Sequence, residues 1–136
     1  MKKQVENPGA IKTDVFSWKA RMRSFIYAGQ GIVEFFGTCH NARIHLAAAA
    51  VSLSMGLLLH ISRIETIVII FSIAFVWVAE MVNTALEKAM DFISLDRHPA
   101  IRAVKDLAAG SVLVAALAAA SAGLIIFIPK ISNLLS

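Results

Sequence analysis

The sequence predicts an all-α membrane protein, with an N-terminal amphipathic surface helix followed by three transmembrane helices in each subunit. Three observations lead there: an excess of apolar residues, three stretches long enough to span, and a lopsided distribution of positive charge. Of the 136 residues, 58% are hydrophobic and only 16% charged, with a mean hydropathy of +0.73. Soluble domains average about 45–50% apolar and about 25% charged residues. A soluble core of this length has no room for so much apolar surface, so the bilayer is the expected solvent. The single cysteine, Cys39, excludes an intrachain disulfide.

Residues 1–13, with Pro8 and Gly9, read as a mobile polar tail, and residues 14–136 as one domain. The first residues lack an apolar h-region, so no cleavable signal peptide is expected. From Asp14, a suitable N-cap, apolar residues recur at Val15, Trp18, Met22, Phe25, Ile26 and Val33. That is helical spacing, with Lys19 and Arg23 along one flank, and it predicts an interfacial helix over 14–36. A spanning helix needs ~20 apolar residues. The first span is expected at 44–61, the second at 64–86 and the third at 108–128, closed by Pro129. Between Ala108 and Gly123 every residue except Val112, Leu113, Val114 and Leu117 is Ala, Gly or Ser. Small residues let helices approach closely in lipid. Three helices make a thin wall around a polar stripe, so a homo-oligomer is expected, with a neighbouring subunit covering it.

Positive charge sets the orientation. Lys2, Lys3, Lys12, Lys19, Arg21, Arg23 and Arg43 precede the first span, and Lys88, Arg97, Arg102 and Lys105 lie between the second and third. Only Arg63 and Lys130 fall on the other side. The positive-inside rule therefore puts the N-terminus and the second connection in the cytoplasm.

The second span runs directly into "EMVNTALEKAMD", residues 80–91. At about 100° per residue, Glu80, Asn83, Glu87 and Asp91 fall within roughly 80° of one another on a helix. A stripe of three carboxylates and an amide is costly in a membrane unless it meets a metal, a polar substrate or a cationic partner. If the second and third helices run antiparallel, Lys105 and Asp106 return to the level of Glu87 and Asp91. Carboxylates at that depth suit Mg²⁺ with phosphate and water, a lysine suits phosphate oxygens, and a further carboxylate can accept a proton from an alcohol. Phosphoryl transfer to a membrane alcohol fits these residues. So does a proton-coupled transporter in which Glu80 carries the proton.

"EMVNTALEKAMD", then "KDLAAG", with "NARIH" before the first span and "HP" in the second connection, resembles the bacterial integral-membrane lipid kinases, the prokaryotic diacylglycerol kinase and undecaprenol kinase family. The similarity covers about residues 15–130. It implies a homotrimer of three-helix subunits in the bacterial inner membrane, with active sites shared between neighbours and facing the cytoplasm. It implies transfer of the ATP γ-phosphate to the hydroxyl of undecaprenol or diacylglycerol, with Mg²⁺ as cofactor. Matched by position, Glu80 would be the general base and Asn83 would orient substrate and phosphate. Glu87 would bind the metal, and Asp91, Lys105 and Asp106 would serve the nucleotide. The "HP" and "KDLAAG" segments lie slightly closer to undecaprenol kinases.

One position departs from the resemblance. Where the family has a metal-binding Glu, this chain has Cys39, in "GTCHNARIH". Thiol sulfur is a soft ligand and does not replace a carboxylate toward Mg²⁺. Glu34 would lie on a different face of an unbroken helix and is a poor substitute. The departure also motivates a rival reading, a non-catalytic relative that stabilises a membrane complex. His45 and His60 read as interfacial residues, His98 as a loop residue and Trp77 as a lipid or packing contact.

Overall fold

In a computed structural model of the chain, which describes residues 17–94 and 98–135, four helices follow one another: α1 (Trp18–Thr38), α2 (His40–Leu58), α3 (Arg63–Ile93) and α4 (Pro99–Leu135). The last three are long and apolar enough to cross a membrane. The expected polar tail and Asp14 lie outside the described residues. Within the described residues, the Ser17 hydroxyl accepts the Ala20 N–H at 3.4 Å at the start of α1. Residues 17–32 are a unit of their own, exposed along their whole length, with Trp18, Met22, Phe25 and Ile26 among the exposed side chains.

In the second unit, from Val33 onward, α4 packs chiefly on α3, and α2 packs on α3 more than on α4. The seams follow heptad spacing. On α3 the buried residues are Ile69, Val76, Glu80 and Asn83; on α2 they include Ala42 and Ala49, and on α4 Ala108 and Ala115. Ala42 and Ala115 have no exposed surface at all. The small side chains let the helix backbones close up, which is how helices associate where lipid gives no hydrophobic drive. Ile69, Ile126 and Phe127 form an apolar cluster backed by Met55, Leu59, Ile61 and Ile73. Phe71, Phe75, Leu113, Val114 and Ile125 stay exposed, the pattern of a lipid-facing wall.

The helix ends differ from the expected spans, and each difference has a local cause. α2 stops at Leu58, not 61, because a Schellman turn ends it. The Ile61 N–H reaches the Gly56 carbonyl at 3.2 Å, and His60 takes the left-handed conformation at φ 48°. A Cβ at Gly56 would lie 2.9 Å from the Ile61 δ-methyl, so this turn closes over a missing side chain. α3 opens with a capping box that "SRIE" announces: the Ser62 hydroxyl accepts from Glu65 N–H at 3.3 Å, and Glu65 Oε2 accepts from Ser62 N–H at 2.6 Å. Lys130 lies 3.5 Å from the same carboxylate oxygen and ties α4 to that end of α3.

α3 continues through the polar stripe to Ile93, and α4 begins at Pro99, well before 108. Pro99 sits in the first turn, where its missing N–H costs nothing. His98, expected as a plain loop residue, accepts the Ala100 N–H on Nδ1 at 3.2 Å and so caps the helix. Pro129 does not close α4, which runs on to Leu135. A proline inside a membrane helix removes one backbone hydrogen bond, and neighbouring helices and local adjustments offset that loss.

Candidate active site

The α3 seam turns polar one turn beyond Val76. Glu80 is 2% exposed and Asn83 7%. A buried carboxylate needs a partner, and α2 supplies one: His45 Nε2 lies 3.2 Å from Glu80 Oε1. His45 stands between Ala42 and Ala49 near the start of α2, and its contact with the buried acid adds a partner that the sequence reading did not assign to it. The small residues at 42 and 49 marked the buried face; the sequence offered no sign of the partner, 35 residues away.

Asn83 donates from Nδ2 to Glu87 Oε1 at 3.0 Å, one turn along α3. Its carbonyl oxygen, Oδ1, is buried with no hydrogen-bond partner. Glu87 and Asp91 are exposed, so the stripe passes from a buried acid at Glu80 to open carboxylates as α3 leaves the bundle. Lys105 crosses from α4 to hydrogen-bond Asp91, as antiparallel helices require. Asp106 is held 3.5 Å from Arg102 along α4, both largely exposed. Adjacent residues on a helix stand about 100° apart. Since residues 99–107 are helical, Lys105 and Asp106 cannot both face α3.

The corner between α1 and α2 sits beside this stripe. α1 ends at Thr38, and Cys39 is extended (φ −88°, ψ 119°) with no side-chain cap on α2. Its sulfur lies 3.5 Å from the Thr84 hydroxyl on α3. Arg43 donates from Nη2 to the Gly37 carbonyl at 2.6 Å and from Nε to the Phe36 carbonyl at 3.4 Å. A cation thus covers the carbonyl end of α1, where the helix dipole favours it. Phe36 meets the Trp77 ring edge-on at 5.1 Å, so Trp77 is a packing contact. The expectation for Glu34 assumed an unbroken helix. With the break at Cys39, Glu34 reaches α3 and pairs with Lys88 at 2.6 Å. The Lys88 ammonium, by hydrogen bond and then by charge, holds the Glu34 carboxyl below the usual carboxylate range.

With this geometry, the comparison with known proteins is decisive. A profile described as prokaryotic diacylglycerol kinase matches residues 26–127, which include Cys39 and every carboxylate of the stripe. The chain belongs to the prokaryotic diacylglycerol kinase family. It is 41% identical over 109 residues to a protein named undecaprenol kinase from Bacillus subtilis, covering 80% of this chain and 89% of that one. It is 34% identical over 113 residues to a protein named diacylglycerol kinase from Synechocystis, covering 82% of this chain and 65% of that one. Membership places the chain among multi-pass membrane phosphotransferases that act on an alcohol.

Among the described residues of this family member, no three His, Cys, Asp or Glu side chains converge as a metal cage. Magnesium seldom uses one. It binds through one or two carboxylates and completes its shell with phosphate and water. Glu87, exposed and hard in its donor atoms, meets that requirement, and the unpartnered Asn83 oxygen lies one turn away on the same face. The residues present fit such an ion through one carboxylate.

Proposed function

We propose that the protein transfers the γ-phosphate of ATP to the hydroxyl of a membrane lipid, and that undecaprenol is preferred to diacylglycerol. The observation that carries this reading is the gradient along one face of α3. A buried carboxylate at Glu80 leads through an unpartnered amide oxygen at Asn83 to the open Glu87 and Asp91. A lipid hydroxyl at the buried end and a nucleotide at the open end would meet between them. The preference for undecaprenol rests on the higher identity and fuller coverage of the protein of that name.

In this reading Glu80 takes the hydroxyl proton and Asn83 orients the hydroxyl against the phosphate. Glu87 would hold Mg²⁺, which when bound offsets the negative charge of the phosphates. Lys105, with Asp91 and Asp106, serves the nucleotide end, the lysine acting as a point charge. A carboxylate is a weak base toward an alcohol, so position and electrostatics supply most of the rate. The exposed apolar face of α1 suits the membrane interface, and a homotrimer would cover the open side of the stripe. The positive-inside bias assigns the site to the cytoplasmic face of the bacterial inner membrane.

The test is a kinase assay on purified protein in mixed micelles, with labelled ATP and each lipid offered separately. Lipid phosphate should form, faster with undecaprenol, and Glu80→Gln should lower turnover by orders of magnitude while leaving the fold intact. A proton carrier built on Glu80 would move protons without ATP, and a non-catalytic relative would label neither lipid. Either result overturns the reading, and a fully active Glu80→Gln removes the base.

A further inference from the structure

We infer that His45 is a positioning residue for the transfer: it donates from Nε2 to Glu80 Oε1 and so reserves Oε2 to receive the proton of the lipid hydroxyl. The inference rests on the reading of Glu80 as the base. At 3.2 Å a proton must lie between the imidazole nitrogen and the carboxylate oxygen, because two lone pairs would repel. If that proton belonged to Glu80, the acid would already be occupied and could not act as a base. The base role therefore requires the proton on Nε2.

The surroundings favour this arrangement. The Glu80 side chain is 3% exposed and that of His45 24%, so water is largely excluded from the contact and the hydrogen bond is worth more than at a surface. Ala42 and Ala49, buried on either side, bring the α2 backbone close enough for a histidine to reach across. His45 also lines an apolar groove of about 660 Å³ between α2, α3 and α4.

In the step that His45 supports, the lipid O–H bond breaks and its proton passes to Glu80 Oε2. The freed oxygen forms the new bond to the γ-phosphorus. The bond from that phosphorus to the bridging oxygen breaks, and ADP leaves with the electron pair. Throughout, the Nε2–H bond holds the carboxyl plane still and offsets charge on the oxygen that does not react. His45 takes no part in bond making. It acts through Glu80.

Four variants test this in the full-length protein: His45→Leu, His45→Gln, His45→Asn and the double variant His45→Leu/Glu80→Gln. Hydrogen bonds to charged groups are the stronger kind, so His45→Leu should lower kcat by about 10- to 100-fold with KM for ATP and lipid nearly unchanged. Glutamine carries its amide nitrogen to roughly the place of Nε2 and should restore most of the rate. Asparagine is too short to reach and should not. In the Glu80→Gln background, His45→Leu should cost nothing further, because it no longer has a base to position. Near-wild-type kcat in His45→Leu, or a loss that adds in full to that of Glu80→Gln, overturns the inference while leaving Glu80 as base. If His45→Leu fails to fold, equal rates for the glutamine and asparagine variants overturn it instead. A fully active Glu80→Gln overturns the inference together with the base role beneath it.

Discussion

Asn83 and Glu87 form a 3.0 Å hydrogen bond along α3 that uses only half of the amide, and the other half, Oδ1, is buried without a partner. An orphaned buried acceptor costs about 1–3 kcal/mol. The fold gains little from Asn83, so its presence is better explained by a partner that arrives with substrate, a cation or its bound water. Asn83→Ala should therefore leave thermal stability within about 1 kcal/mol of the parent while lowering kcat by at least an order of magnitude. Paired calorimetry and kinase assays check this. A large loss of stability at unchanged turnover would make Asn83 structural.

The contact between Lys105 and Asp91 separates two roles in the same way. Both groups are substantially exposed, at 33% and 50%, and exposed ion pairs contribute about 0–1 kcal/mol. Lys105→Gln should leave the fold unchanged and raise KM for ATP about tenfold or more, the effect of losing one phosphate contact of about 1.4 kcal/mol. Swapping the charges, Lys105→Asp with Asp91→Lys, should restore the pair without restoring ATP affinity. Recovery of KM in the swapped protein would show that the pair only docks α4 on α3.

Much of this architecture is legible in the sequence because hydropathy and heptad spacing act locally. Ile69, Val76 and Asn83 lie seven residues apart and mark the α3 seam, and Glu80 joins them one turn from Val76. Helix ends are harder to read. Glu87, Lys88, Ala89 and Met90 fall outside an apolar window yet are good helix formers, so α3 runs on past 86, as α4 does before 108. The His45–Glu80 contact joins residues whose proximity depends on the packing of α2 against α3, which no local pattern encodes. Glu34 shows the same limit. Its reach to Lys88 follows from a helix break at Cys39 that periodicity does not reveal.

Membrane orientation follows from the two ends of α3. Cysteines introduced singly at Arg63 and Ile93, both exposed, in a Cys39→Ser background should label from opposite sides of the membrane. Position 93 should react with a reagent confined to the cytoplasm, as the positive-inside bias requires. Labelling of position 93 from outside would separate the stripe from ATP.

His60 gives a prediction that concerns the fold alone. It occupies the left-handed position of the Schellman turn, which costs a residue with a Cβ roughly 1–2 kcal/mol. Glycine recovers that strain but loses more chain entropy on folding. His60→Gly should thus stabilise the protein by up to about 1 kcal/mol in detergent unfolding, at unchanged kcat. A destabilised variant would show that the imidazole itself holds the turn.

Cys39 allows a test of metal binding in the opposite direction, by addition. Its sulfur touches Thr84, one helical turn from both Glu87 and Lys88. A carboxylate placed there would approach the open face where Glu87 stands. Lys88 does not compete for it, being engaged by Glu34 at 2.6 Å. Two unit charges 4 Å apart attract by about 4 kcal/mol at an effective dielectric of ~20, and desolvation removes much of the gain from a second carboxylate on Mg²⁺. A net 1–3 kcal/mol corresponds to about 5- to 150-fold in affinity. Cys39→Glu should lower the Mg²⁺ concentration for half-maximal turnover by a factor in that range, and should tighten Mn²⁺ binding read by electron paramagnetic resonance without ATP. Cys39→Ser should change neither. Adding Glu87→Gln to Cys39→Glu should abolish the gain, because a lone carboxylate at position 39 has no partner across the corner. Unchanged metal dependence in Cys39→Glu would place the ion elsewhere, and loss of activity in Cys39→Ser would show that the sulfur itself is required.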